Sequence, residues 1–352
     1  MGWSLSIDKA SINDAKIVPT GETALKPGEA RLRVDRFALT ANNITYAAFG
    51  HAMRYWDFFP GADGRGRLPV WGFAEIVENT VEGLTVGERI YGYFPAGSEL
   101  IVQPGRIDAQ RFFDLAPHRA ELAPAYNTYT RCAADPAWSE AMEPAQMVLQ
   151  PLFITAFLLD HHLRDMAQGP VLLTSASSKT AIALAFLLKA AGKPAHALTS
   201  TRNADFVTGL DLYDGVTTYD ALDGLTGMDQ AVIVDFAGDS KLNMALHETL
   251  AGQLAANIRV GGAHWENSAP PKDLPPPKPQ FFFAPDAARA LIKSWGQDEF
   301  DRVYKTAWTN FANAASGFFD FTGSEGDTGC LETYDALIAG KVPAKAALYV
   351  KN

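Results

Sequence analysis

Residues 171–192 read V-L-L-T-S-A-S-S-K-T-A-I-A-L-A-F-L-L-K-A-A-G, and the fold turns on them. Val171 to Thr174 is a short strand, apolar until the Ser/Thr cluster that closes it, as in a strand buried on both faces. Thr180 to Ala191 is rich in Ala, Leu and Ile and stops at Gly192, as a helix does. The pattern then repeats toward the C-terminus. Strands are expected at Ala195–Thr199, Ala231–Phe236 and Ala255–Val260, with helices at Asp205–Leu210 and Leu242–Leu250. On the N-terminal side Met147–Leu163 has the length and spacing of a helix. Apolar strands alternating with helices predict a doubly wound parallel α/β sheet.

The first ~125 residues have another rhythm. Arg31–Leu39 alternates polar and apolar residues, Pro69–Glu78 and Arg89–Phe94 are strand-like, and Gly and Pro recur between them. A small β barrel or sandwich is expected, with no long amphipathic helix. Ala269–Gln280 is proline-dense and reads as an extended loop. A helical tail from Asp286 to Gly317 and a closing strand over Ala347–Lys351 complete the chain. Two domains follow: residues 1–130 with 298–352, β-rich and substrate-binding, and residues 131–297, dinucleotide-binding.

Apolar residues make up 47% of the 352 residues and charged ones 20%, which suffices for a substantial core. The net charge of −10 argues against nucleic acid as a partner. Cys132 and Cys330 are the two cysteines, too few for a disulfide framework or a four-sulfur zinc site. No uninterrupted apolar run reaches the ~18 residues of a bilayer span, and Met1–Lys16 lacks the apolar core of a signal peptide. The expected protein is cytoplasmic, with no membrane partner. A homodimer is left open.

In a doubly wound sheet the ligand lies at the carboxyl ends of the strands. The first such turn, Thr174 to Ala181, has none of the usual glycines. It offers the hydroxyls of Ser175, Ser177, Ser178 and Thr180, the charge of Lys179 and a helix N-terminus, all suited to an anion. A P-loop would need glycine at Ser178 and Leu173, which argues against a triphosphate site. A turn whose serines only cap the helix remains the alternative. After the second strand come Ser200, Thr201 and Arg202, with no carboxylate before Asp205. Hydroxyls followed by an arginine favour a 2′-phosphate, hence NADPH over NADH. A solvated polar loop is the alternative.

The order of these features resembles the medium-chain dehydrogenase/reductase superfamily, specifically its zinc-independent quinone and enoyl reductases. Gly72–Val77 (G-F-A-E-I-V) is similar to that family's glycine-led strand, and Val86–Gly92 (V-G-E-R-I-Y-G) to its V-G-D-R-V-Y-G element. Thr155–Ala156 stands where the family has a Thr-Ala pair, Asp235–Gly238 (D-F-A-G) resembles its D-x-x-G, and Gly340–Pro343 its closing G-K-V-P. The resemblance implies a β-rich GroES-like catalytic domain plus a doubly wound Rossmann cofactor domain. It also implies Thr155, Phe236, Gly238, Gly261 and Gly262 as further cofactor contacts. The family's G-H-E zinc motif is replaced by Gly72-Phe73-Ala74, so no metal is expected.

Without zinc, hydride transfer needs orientation and a hydrogen bond to the oxygen that gains charge. Zinc-independent members use a tyrosine four residues before a glycine, and Tyr46 holds that offset from Gly50. Asn42 or Asn43 would support the substrate or the nicotinamide ribose. His264, in G-G-A-H-W, would donate a proton. Each could equally be structural, as could Tyr126–Tyr129 at the expected domain junction. Tyr55, Trp56, Phe58 and Phe59 are either a core plug or the wall of an apolar cleft. The expected activity is reduction of a small hydrophobic carbonyl or activated alkene. A degenerate Rossmann protein that binds a nucleotide as a sensor or scaffold is the rival.

Overall fold

The computed structural model describes residues 2–62, 64–135, 138–164, 166, 168–260 and 274–352. The chain forms two compact units, Met1–Val148 with Asp320–Asn352, and Leu149–Phe319.

The second unit carries a six-stranded sheet. Its spatial order is Gly215–Thr218, Ala195–Thr199, Val171–Leu173, Ala231–Asp235, Leu254–Arg259 and Gln280–Phe281, and every pair is parallel. Counted along the sequence this is 3-2-1-4-5-6, the doubly wound order. The central strands are apolar because both faces are covered, and Val171, Leu172 and Leu173 are wholly inaccessible. Helices Lys179–Ala190, Ala204–Gly209 and Ser240–Thr249 supply crossovers, within two residues of the expected bounds.

Two edge strands were not legible in the sequence. Gly215–Thr218 (G-V-T-T) is half-exposed throughout, and Gln280–Phe281 is exposed, so neither shows the apolar run of a buried strand. The single expected tail helix is two, Ala284–Trp295 and Gln297–Ala314. The break is Gly296, at a φ of +85° that an L side chain rarely adopts.

The first unit is β-rich, as expected. Its larger sheet runs from Asp320–Glu325 through Ala346–Lys351, Ala30–Ala38, Pro69–Asn79 and Arg89–Pro95 to Thr128–Arg131, Arg111–Asp114 and Pro104–Gly105. A three-stranded sheet of Ala15–Thr20, Gly2–Asp8 and Arg65–Arg67 accompanies it. A short helix that the sequence pattern did not place, Ala41–Ala48, is held by a capping box between Thr40 and Asn43. Strand Asp320–Glu325 and helix Gly326–Ile338 also escaped the sequence pattern. The strand buries no position fully, only Phe321 and Ser324 being half-exposed, and the helix opens on Gly326 and contains Gly329.

Trp56 explains two glycines in this unit. Its indole lies so close to Gly50 and Gly66 that a Cβ would sit 2.1 Å and 2.3 Å from ring atoms. Among the described residues one helical stretch, Glu140–Leu163, is long and apolar enough to cross a membrane. Of its 18-residue apolar window 61% is buried within the protein, as in a core helix.

Helix Glu143–Leu163 opens on a buried charge. Glu143 has no accessible surface and accepts from Arg89 (2.5 Å to each oxygen), Arg36 (3.2 Å) and Trp138 Nε1 (3.1 Å). Asp35 bridges the same two guanidiniums, at 2.7 Å to Arg89 and 2.8 Å to Arg36. Burial disfavours the Asp35 carboxylate, but hydrogen bonds and charge from Arg89 and Arg36 outweigh it and hold the carboxyl below its ordinary range. Removing Glu143 leaves two cations that keep only 24% and 20% of their exposure to share Asp35, with Glu140 a looser partner of Arg36 at 3.6 Å. Glu143→Ala should therefore destabilise this unit by about 3 kcal/mol, the low end of the range for breaking a buried pair. Denaturant unfolding followed by near-UV circular dichroism checks this, and a loss below about 1 kcal/mol contradicts it.

Candidate active site

Parallel pairing puts the carboxyl ends of the six strands along one edge. Thr174 and Asp235 follow or close two adjacent strands there, and both are buried. The Thr174 hydroxyl donates to Asp235 Oδ1 at 2.7 Å and accepts the N–H groups of Phe236 (2.9 Å) and Ala237 (3.0 Å). Asp235 Oδ1 also accepts from the N–H groups of Ala237 (3.1 Å) and Gly238 (3.0 Å). Asn243 Nδ2 donates to Asp235 Oδ2 at 2.7 Å, and Asn257 Nδ2 donates to Asn243 Oδ1 and to His247 Nε2, each at 2.9 Å. Burial holds the His247 imidazole below its ordinary pKa range, hence neutral and able to accept. Phe236 and Gly238 thus stand in a turn whose shape the Thr174–Asp235 pair dictates.

The glycine-free turn after Val171–Leu173 keeps a glycine-like backbone. Ser175 has φ +47°, in the left-handed region. Its N–H donates to the Tyr219 hydroxyl at 2.9 Å, and the Ala176 carbonyl accepts from the Tyr213 hydroxyl at 2.7 Å. Ser177 Oγ accepts from Asn203 Nδ2 at 3.0 Å. Ser178 caps helix Lys179–Ala190, its Oγ accepting from Ala181 N–H at 3.3 Å. Two serine oxygens are therefore used within the protein, while the helix N-terminus still opens onto the sheet edge. The Lys179 ammonium lies 5.3 Å from the Phe319 ring centre, and burial pulls its pKa down to about 8. Thr180 is partly exposed beside it.

Ser200 is partly exposed, and Thr201 and Arg202 are exposed. Arg202 forms no ion pair among the described residues. Thr201 Oγ1 lies 3.4 Å from both carboxylate oxygens of Asp220. Sequence reasoning missed Tyr219 and Asp220, because the strand that delivers them, Gly215–Thr218, was not recognised. Thr155 sits partly exposed on Glu143–Leu163. Gly261, Gly262 and His264 lie outside the described residues.

In the first unit Tyr46 is 6% exposed on helix Ala41–Ala48. Its ring centre is 4.4 Å from that of Tyr55 and 6.0 Å from that of Tyr93. Burial raises the Tyr46 hydroxyl well above its usual pKa, as does the neighbouring Tyr126, and the nearby Trp71 and Asn42 side chains offset this only in part. Asn43 is fully engaged, accepting from Thr40 N–H at 2.8 Å and donating to the Pro69 carbonyl at 2.9 Å. That leaves Asn42 as the asparagine beside Tyr46.

The aromatic run divides. Trp56, Phe58 and Phe59 are at most 2% exposed and belong to the core. Arg119, itself buried, stacks 5.5 Å and 5.0 Å from the two phenylalanine ring centres. Tyr55 is partly exposed, with Trp71 and Tyr126, around Tyr46. Tyr126 lies 5.8 Å from Trp71 and 4.7 Å from Tyr93 between ring centres. No cluster of three or more His, Cys, Asp or Glu able to hold a metal occurs among the described residues.

Solved structures share this architecture over almost their whole length. The chain is similar to a CurK enoyl reductase (14% identity, 99% of each chain covered, TM-score 0.58). It is also similar to the yhdH oxidoreductase from Salmonella enterica in complex with NADP (14% identity, 100% of each chain, TM-score 0.58). A third is an Etr1p/NADP/crotonyl-CoA complex (12% identity, 100% of this chain and 99% of that one, TM-score 0.58). No curated protein sequence matches. At these identities the likeness is one of fold, and it is the two-domain fold of the medium-chain dehydrogenases/reductases that the motifs resembled. The family model described as "Protein of unknown function (DUF2855)" matches residues 37–343. The chain therefore belongs to the DUF2855 family, built on the fold of the medium-chain reductases.

Proposed function

We propose that the protein is an NADPH-dependent, zinc-independent reductase of a hydrophobic carbonyl or activated alkene. The observation that carries the reading is the parallel sheet in 3-2-1-4-5-6 order. It presents a left-handed Ser175 turn and a helix N-terminus at its carboxyl edge. Two of the similar structures are complexes with NADP. The residues present fit a dinucleotide. The amide end of Lys179–Ala190 and the Lys179 charge suit the pyrophosphate, while Ser200, Thr201 and the exposed Arg202 suit a 2′-phosphate.

Bound NADPH would supply the hydride. Tyr46 would hydrogen-bond the substrate oxygen as it gains charge, and the proton that balances the hydride would come from solvent. Its raised pKa keeps the hydroxyl protonated across the working range, so it offers a donor rather than a charge. Asn42 would orient that hydroxyl. Tyr55, Trp71 and Tyr126 would exclude water and face an apolar, planar substrate.

The non-catalytic rival has support of its own, since Tyr219 already occupies the Ser175 N–H and Asn203 the Ser177 hydroxyl. Arg202→Ala tests the 2′-phosphate assignment, and Tyr46→Phe tests the catalytic one. An arginine–phosphate contact contributes about 1.5–3 kcal/mol. The variant should weaken NADPH about tenfold or more and leave NADH nearly unchanged in nicotinamide-fluorescence titrations. Equal losses for both would refute the 2′-phosphate assignment. Tyr46→Phe should lower turnover at least about tenfold while NADPH affinity and melting temperature hold, a loss confined to the transition state. Full turnover in that variant would remove Tyr46 from the mechanism.

A further inference from the structure

Three polar segments are tied together at the outer edge of the six-stranded sheet. Tyr219 N–H donates to the Thr199 carbonyl at 2.9 Å, which fixes the end of strand Gly215–Thr218 against the end of Ala195–Thr199. The Tyr219 hydroxyl reaches over to Ser175 N–H at 2.9 Å. Asp220, the next residue, turns its carboxylate toward Thr201, whose hydroxyl lies 3.4 Å from each oxygen. Hydrogen bonds from Thr218 and from its own backbone, with a smaller one from Thr201, keep the Asp220 carboxyl below its ordinary range, so it is ionised at neutral pH. Arg202 stands next to Thr201 with no carboxylate paired to it among the described residues. The hydroxyl assigned above to a 2′-phosphate is thus flanked by a cation, Arg202, and an anion, Asp220.

We propose that Asp220 is a cofactor-selecting residue that opposes Arg202, so the site discriminates NADPH from NADH far less than its arginine alone would. This inference rests on the reading of the Thr201–Arg202 segment as the ribose end of a dinucleotide site. The chemistry is direct. A ribose 2′-phosphate carries between one and two negative charges at neutral pH and meets a like charge at Asp220. The free 2′-hydroxyl of NADH can instead donate to a carboxylate, as it does to the acidic residue of ordinary NAD sites. Because the group is exposed, the repulsion is modest and screened by salt. Conversely, removing the charge spares NADPH and takes an acceptor from NADH.

The test is a fluorescence titration of the full chain with NADPH and with NADH, in wild type, Asp220→Asn and Asp220→Ser, at low and high ionic strength. Both variants should tighten NADPH about three- to tenfold at roughly 0.05 M salt, with the gain shrinking toward unity near 0.5 M. NADH should stay within about twofold or weaken. Unchanged or weaker NADPH binding by two variants with wild-type melting curves overturns the inference, as does equal tightening of NADH. Where wild type binds NADPH, such a result leaves the reductase reading standing. Wild type that takes neither cofactor refutes the reading of the site and this inference together.

Discussion

At the carboxyl edge of the parallel sheet, the Thr174 hydroxyl gives its proton to Asp235 and accepts two backbone N–H groups in return. Both side chains are buried, so the interaction is made away from water, where an unmatched partner would be costly. It ties the end of the first strand to the turn after the fourth, and the two flanks of the crevice between them become one unit. Asn243 and Asn257 extend the network inward. A sheet edge tied in this way needs less support from glycines, because side-chain hydrogen bonds specify the backbone path.

The same logic applies to the turn itself. A glycine there would supply a positive φ without strain, and here Ser175 adopts +47° with its N–H clamped by Tyr219. The missing glycines therefore do not imply a different backbone. They imply that other residues hold it, Tyr213 and Tyr219 foremost, and that serine oxygens serve the turn before they serve a ligand. On the proposed reading, an anion here would meet the helix N-terminus and Lys179 rather than a bare glycine nest.

What was legible in the sequence follows from burial. Strands covered on both faces, such as Val171–Leu173 and Ala231–Asp235, are apolar runs and were read to within a residue of their ends. Edge strands gain no such pattern, so Gly215–Thr218 went unseen, and Tyr219 and Asp220 with it. Residues brought together by the fold were harder still. The sequence places Asp220 nineteen positions from Thr201, and only strand pairing makes them neighbours. The aromatic run 55–59 could be read either way, and its members serve both ends. Trp56, Phe58 and Phe59 fill the core, while Tyr55 stays at its border beside Tyr46.

The central claim is that the serine-rich turn and the helix it opens hold a nicotinamide dinucleotide. A crystal structure of the full chain with NADPH tests it most directly. The account predicts the pyrophosphate against the amino end of Lys179–Ala190 and the 2′-phosphate beside Thr201 and Arg202. A saturated crystal in which that edge stays empty, or in which the cofactor binds elsewhere, would contradict it.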